Sequence, residues 1–153
     1  MILKPLTVPG NLEFLDAIAL FVVEAAKLAC LDRQTTYKLR LAVDEIATNI
    51  IQHGYTEANL KGEITCYAEL NKACLTIIVE DWGIAYDYLK YTDLDSLQKP
   101  LTERPIGGLG IYLAIQSVDD FQYQRLDNRN RHLLSIKRSE RPRLGKTGLP
   151  PTS

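Results

Sequence analysis

Apolar residues recur every three or four positions in two consecutive segments near the start of the chain, each preceded by a candidate N-cap, Asn11 and Asp32. The first stripe runs to about Leu31 and comprises Leu15, Ile18, Val22, Ala25 and Ala29. The second comprises Leu39, Val43, Ile46, Ala47 and Ile50. This spacing is typical of amphipathic helices that bury one side. We predict two helices, with Gly54 in the left-handed position that ends the second.

The hydrophobic period then changes to two, which is typical of strands. Residues 62–70 alternate apolar and polar side chains, and residues 74–81 form a more continuous apolar run. A tight turn at residues 71–72 separates them, so they are expected to pair as a hairpin. The N-terminal "ILKPLTVP" predicts a short edge strand, where prolines are tolerated.

The second half of the chain begins with a long segment, 84–105, that has no periodicity and contains two prolines. Loops of this length in compact domains are usually functional lids or disordered. A glycine cluster and a helix to about Val118 follow. Two further strands, 120–126 and 132–138, are predicted on either side of a polar turn at 127–130.

The order of elements, β-α-α-β-β-loop-α-β-β, favours an α+β two-layer sandwich. Its sheet would be mixed but mostly antiparallel, with helices on one face. Residues 139–153 are rich in Pro, Gly and basic residues and predict a flexible tail. We therefore expect one domain over residues 1–138.

Composition excludes several classes of function. Of the 153 residues, 46% are hydrophobic and 24% charged, which is typical of a globular protein with a core. The net charge of −1 argues against a nucleic-acid partner. The sequence contains no signal or membrane-spanning segment, so we expect no membrane partner and a cytoplasmic location. The odd cysteine count favours reduced thiols.

Two polar residues of the second helix, Glu45 and Asn49, are four positions apart and share one face off the apolar stripe. Such a pair is most often solvated helix surface. The functional alternative is a carboxylate base beside an amide oxygen that can ligate a hard cation.

Two further candidates lie at turns. Asp81 and Gly83 follow an apolar strand, where an Asp commonly closes an Asx turn but could also accept a hydrogen bond from a ligand amine. Gly107, Gly108 and Gly110 precede a helix, where free N–H groups and the helix dipole can bind an anion. A glycine cluster alone is equally compatible with a hinge.

Three segments together carry a family resemblance. "LAVDEIATNIIQHGY", "VEDWGIA" and "RPIGGLGIYLA" resemble the N, G1 and G2 boxes of the GHKL ATPase/kinase superfamily. Within it, the chain is most similar to the anti-sigma-factor serine kinases of bacterial partner-switching systems, over about residues 1 to 138. The resemblance implies a Bergerat-type sandwich that binds ATP under a lid.

The resemblance also implies residue roles. Glu45 matches the acid proposed as general base, and Asn49 matches the amide that ligates Mg²⁺ and so belongs to the cofactor site. Asp81 matches the aspartate that reads the adenine amino group, and Gly83 matches the glycine beside the base. The expected cofactors are ATP and Mg²⁺.

On the phosphate side, Gly108 and Gly110 match the lid glycines, with Gly107 next to them. The segment 84–105 would be the ATP lid, and Arg104 is our candidate for a phosphate contact.

Two departures stand out. The G1 box has Ala85 where many relatives have a second glycine. The late strand offers only Ser135 where many relatives place a Thr near the adenine-reading Asp.

The implied function is a protein serine/threonine kinase that phosphorylates an anti-sigma-factor antagonist and sequesters a sigma factor or other regulator. The first helix could support a homodimer, as the resemblance implies. The alternative is a non-catalytic module of the same fold, in which nucleotide only sets the conformation that binds a partner. The ATP-binding domain of a sensor histidine kinase, or of an Hsp90-like or mismatch-repair ATPase, is less favoured because those architectures need further domains.

Overall fold

A computed structural model describes residues 3–86 and 108–138 of the chain. Its strands are β1 (Leu6–Pro9), β2 (Glu63–Leu70), β3 (Cys74–Asp81), β4 (Asp120–Leu126) and β5 (Arg129–Lys137). Its helices are α1 (Leu15–Leu28), α2 (Arg33–Asn49) and α3 (Gly108–Gln116), with a 3₁₀ turn at Leu12–Phe14 and a π-helix at Ile50–Thr56.

The five strands form one sheet in the order β1-β2-β3-β5-β4. Every neighbouring pair is antiparallel, so the predicted α+β class is confirmed and the described sheet is antiparallel rather than mixed. β3 lies in the middle, and its last residue, Asp81, is opposite Ile64 of β2 and Asn130 of β5. The end of β3 is therefore enclosed by neighbours on both sides.

The core lies between one face of this sheet and the helices, because strand side chains alternate between the two faces. The strands contribute Ile64, Cys66, Ala68, Leu75, Ile77, Val79, Leu134 and Ile136, all buried. The helices contribute the predicted stripes, including Ile18, Val22 and Ala25 from α1 and Leu39, Val43 and Ile46 from α2. Burying each large aliphatic side chain contributes roughly 1.5–3 kcal/mol, which fixes the helices on the sheet.

Of the two predicted N-caps, Asp32 caps α2, whereas Asn11 caps the 3₁₀ turn and α1 begins after Phe14, whose side chain makes no cap bond. The Asn11 side chain accepts a hydrogen bond from the Glu13 amide, and Asp32 Oδ1 accepts one from the Thr35 amide at 2.7 Å. The first helix ends at Leu28, three residues earlier than predicted. The chain turns there because Cys30 adopts a left-handed backbone with φ of 57°.

The prediction that Gly54 ends the second helix is wrong. The chain continues beyond α2 as the π-helix, and Gly54 lies inside it without a left-handed φ. The first left-handed residue after this helix is Asn59, with φ of 57°. The reason is Tyr55, whose buried hydroxyl donates to the Glu63 carbonyl at 2.7 Å and so anchors the helix past Gly54.

The last hairpin is tighter than predicted. Its turn consists of residues 127–128 only, with Asp127 in a left-handed conformation at φ of 55°. β5 therefore begins at Arg129, and Asn130 belongs to the strand rather than to the turn. Asn130 is buried on the helix-facing side.

The predicted lid beyond residue 86 and the predicted tail, 139–153, lie outside the described residues. Over the described ranges, no helix combines the length and apolar character needed to cross a membrane. The three cysteines are free thiols.

Candidate functional site

Glu45 and Asn49 lie side by side on α2, as their spacing predicts. Asn49 is only 5% exposed, and its Nδ2 donates to the Glu45 backbone carbonyl at 2.9 Å. This bond fixes the amide, so Oδ1 is the atom that remains to accept from a neighbour. The interpretation of this pair as solvated helix surface is therefore wrong for Asn49.

The Glu45 carboxylate lies against the first turns of α3. A Cβ built on Gly110 would overlap Oε1 of Glu45 and come within 2.9 Å of its Cδ. Glycine at 110 is what allows the helix to approach so closely. Burial raises the pKa of Glu45, and the neighbouring Asp44 raises it further. This shift brings the carboxyl closer to the range of a useful general base.

Asp81 is buried at the end of β3, with 1% of its surface exposed. Its Oδ1 accepts two hydrogen bonds, from the Gly83 amide at 2.8 Å and from Asn130 Nδ2 at 2.9 Å. Its Oδ2 has no hydrogen-bond partner among the described residues. Burial raises the pKa of Asp81, against hydrogen bonds from Asn130 and Gly83 and the charge of Arg125, which lower it.

The turn after Asp81 packs directly on the π-helix. A Cβ built on Gly83 would lie 2.6 Å from the Gly54 carbonyl oxygen. The Trp82 amide donates to the Tyr55 hydroxyl at 2.8 Å. π-helical turns are rare and concentrate at functional sites. The packing of this one on the turn after Asp81 therefore supports a functional role for that turn.

Tyr86 connects the two groups of candidates. Its hydroxyl donates to Asn49 Oδ1 at 3.0 Å. Its ring meets the edge of the buried His132 ring, with centroids 6.5 Å apart, and Nδ1 of His132 is 3.9 Å from Asp81 Oδ2. The structure thus brings Glu45, Asn49, Asp81, Gly83 and Gly110 to one region between α2, α3 and the end of β3.

Of the remaining candidates from the sequence, only one is among the residues that the structure describes. Gly108 begins α3. Arg104 and Gly107 lie outside the described residues, so their contacts stay predictions. No group of three or more His, Cys, Asp or Glu side chains in the described ranges could hold a metal ion.

The sequence pattern does not point to Asn130 and offers only Ser135 in the late strand. Ser135 is opposite Thr76 and bonds its hydroxyl at 2.8 Å, far along the strand from Asp81. Asn130 is the residue opposite Asp81. The signal that identifies Asn130 is the alternation of side chains along β5. Every second residue, Ile136, Leu134 and His132, faces the helices, and Asn130 continues that series.

His132 is expected to give the protein an acid-sensitive stability. Burial lowers the pKa of this imidazole to about 4, although a hydrogen bond to the Val79 carbonyl opposes the shift. A lowered pKa means that unfolded chains bind a proton at higher pH than folded ones. The free energy of unfolding should therefore fall as the pH drops from about 6.5 to 4, by about 3 kcal/mol.

Urea unfolding between pH 7 and 4 measures this effect. A His132→Gln variant should show a flatter pH profile, whereas His53→Gln, which replaces the partly exposed second histidine, should keep most of the slope. A His132→Gln profile as steep as that of the wild type would contradict the assignment.

Comparison with known proteins identifies the family. The family described as the histidine kinase-like ATPase domain matches residues 8–136. The serine-protein kinase RsbW of Bacillus cereus strain ATCC 10987 is 32% identical over 119 residues, covering 75% of this chain and 72% of that protein. The RsbW proteins of Bacillus cereus strain B4264 and Bacillus thuringiensis strain Al Hakam are 31% identical with the same coverage. The chain therefore belongs to the histidine kinase-like ATPase family, and its similarity to the RsbW kinases confirms the resemblance to anti-sigma-factor kinases that its sequence boxes carry.

Proposed function

We propose that this chain binds ATP with Mg²⁺ and transfers the γ-phosphoryl group to a serine or threonine hydroxyl of a protein partner. The observation that carries the proposal is the contact between the Glu45 carboxylate and the start of α3, beside Gly110. Helix N-termini favour bound phosphate, so an acceptor hydroxyl that approaches such a phosphate would also meet a carboxylate base.

The adenine side also fits the proposed ligand. Asp81 Oδ2 is a buried acceptor that lacks a partner among the described residues, and the adenine amino group is a donor of matching kind. The absence of a side chain at Gly83 lets the adjoining turn pack on the π-helix at Gly54 and keeps the Gly83 amide on Asp81 Oδ1. A buried carboxylate oxygen without a hydrogen-bond partner is costly, which supports the interpretation that a ligand donates to Oδ2.

Asn49 fits a magnesium site. Mg²⁺ is usually bound through one or two protein oxygens together with water and substrate phosphates, so a single amide oxygen is a sufficient protein contribution. When bound, the ion would neutralise charge on the phosphates. The Glu45 backbone carbonyl holds the amide so that Oδ1 faces away from α2, toward Tyr86.

In the proposed reaction the acceptor oxygen forms a bond to the γ-phosphorus, the bond from that phosphorus to the β,γ-bridging oxygen breaks, and ADP leaves. The hydroxyl proton passes to the Glu45 carboxylate. The raised pKa of Glu45 favours this acceptance. Most of the remaining catalysis is positioning, which the fixed side chains of Asn49 and Asp81 supply.

We further propose the partners that the resemblance implies: an anti-sigma-factor antagonist as the phosphorylated protein, and a sigma factor or other regulator as the sequestered one. The RsbW relatives are serine-protein kinases by name, which supports a protein substrate. A homodimer and a cytoplasmic location belong to the same proposal.

A phosphoryl-transfer assay with radiolabelled ATP, Mg²⁺ and a purified anti-sigma-factor antagonist as the acceptor protein tests the proposal. Glu45→Gln should lower transfer by about 10²–10⁴-fold, because it removes the base and keeps the side-chain size. Glu24→Gln, the same change at an exposed site of α1, should leave transfer unchanged.

Equal transfer by the wild type and Glu45→Gln would overturn the role of Glu45. Nucleotide binding without any transfer would favour the alternative, a non-catalytic binding module. The hydrogen bond from Tyr86 to Asn49 Oδ1 is the observation that supports this alternative, because it uses one lone pair of the proposed metal ligand.

A further inference from the structure

The buried side chain of Asn130 joins β5 to the turn that follows β3. Its Nδ2 donates to Asp81 Oδ1 at 2.9 Å and to the Ile84 carbonyl at 2.9 Å, and the Gly83 carbonyl lies 3.3 Å away. One amide group thus contacts both the carboxylate and the backbone of the residues after it.

The other end of the same amide is also occupied. Asn130 Oδ1 accepts hydrogen bonds from the Tyr123 hydroxyl and from Arg125 Nη1, the latter at 3.1 Å. An amide has two N–H donors and one oxygen with two lone pairs, so these contacts use its full capacity. Asn130 therefore cannot rotate without losing bonds on both sides, and its orientation is fixed.

A fixed Asn130 holds the plane of the Asp81 carboxylate. Oδ1 already accepts from Asn130 and from the Gly83 amide, whereas Oδ2 has no partner among the described residues. The last torsion of an aspartate is soft, so without such donors the carboxylate plane could rotate and turn its second oxygen away from the ligand side. With them, Oδ2 is the oxygen left for a ligand.

We propose that Asn130 is a positioning residue that presents Asp81 Oδ2 to the base and thereby sets a preference for adenine over guanine nucleotides; this inference rests on the nucleotide site proposed above. Adenine offers an amino donor at the position where guanine has a carbonyl oxygen. A carboxylate accepts from the first and repels the second.

The charge of Asp81 is part of this discrimination. Burial raises the pKa of Asp81, and the Asn130 hydrogen bond is the largest of the contacts that oppose the rise. Without Asn130 the carboxyl would be more readily protonated. A protonated carboxyl can donate to the guanine oxygen, so the preference for adenine should shrink.

Calorimetric titrations with ADP and with GDP, both with Mg²⁺, test the proposal on the full chain. Asn130→Ala should weaken ADP binding about tenfold or more and change GDP binding by less than about threefold. The ratio of the two affinities should therefore fall about tenfold. Asn130→Asp, which keeps the side-chain volume, should shift the ratio in the same direction and guards against a simple packing defect.

Ser135→Ala is the matched control. It removes a hydrogen bond between the same two strands, the one to Thr76, but leaves Asp81 untouched. Its ADP-to-GDP ratio should equal that of the wild type.

Equal weakening of ADP and GDP by both Asn130 variants would overturn the positioning role and leave the proposed function standing. An ADP-to-GDP affinity ratio equal to that of the wild type in these variants would also overturn the positioning role. A wild-type protein that binds neither nucleotide would overturn the proposed function itself, and this inference with it.

Discussion

Gly110→Ala is expected to lower phosphoryl transfer by about 100-fold while leaving the fold intact. The added Cβ would overlap the Glu45 carboxylate, coming within 2.9 Å of its Cδ. That group is the far end of a flexible side chain, so it can swing aside at small cost. A displacement of about 1 Å at a reacting group is enough for a 10²-fold loss.

The measurement is the rate of phosphoryl transfer, together with the melting temperature, which should stay near its wild-type value. The double variant Gly110→Ala with Glu45→Gln separates the cause. If the alanine acts by moving the carboxylate, it should add little once the carboxylate is gone. A double variant whose rate falls by the product of the two single losses would contradict this mechanism. Full activity of Gly110→Ala alone would contradict it too.

Gly83→Ala is expected to abolish detectable nucleotide binding and to destabilise the protein by about 1–3 kcal/mol. Its Cβ would lie 2.6 Å from the Gly54 carbonyl oxygen and 2.9 Å from the carbonyl carbon. Both atoms are backbone, so neither can move aside as a side chain can. The turn would have to leave the π-helix, and the Gly83 amide would then no longer hold Asp81 Oδ1.

Gly54→Ala is the matched control, because Gly54 is the residue that Gly83 contacts and the substitution adds the same methyl group. Its Cβ would meet only Ile50 Cγ2 at 3.9 Å and Asp81 Oδ1 at 4.0 Å, which are ordinary contacts. Urea unfolding and ADP titration should therefore show little loss in this variant. Equal damage from the two alanines would contradict the proposed clash.

The sequence predicts the order of elements and the face of α2 that Glu45 and Asn49 share because these depend on periodicity. A hydrophobic period of two residues in a strand, or of three to four in a helix, directly indicates which side chains face the core. The spacing of Glu45 and Asn49 likewise fixes their relative position on any helix. These features need no knowledge of distant parts of the chain.

The features that the sequence did not predict share a different cause. Gly54 is a common helix terminator, but here Tyr55 finds hydrogen-bond partners on two other segments, Glu63 and Trp82, and the helix continues. Asn130 follows three polar residues, a pattern that predicts a turn, yet its place opposite Asp81 makes it part of a strand. In both cases a long-range contact overrode a local preference.

The π-helix at Ile50–Thr56 makes the site depend on the number of residues in the chain as well as on their identity. Each residue in an α-helix turns the chain by about 100°. Loss of one residue within this segment would allow an ordinary α-helix to form, and the wider turn that brings Gly54 and Tyr55 against Gly83 and Trp82 would be lost. Natural variation here should therefore favour substitution over insertion or deletion, and this segment is a poor place to graft or trim the chain.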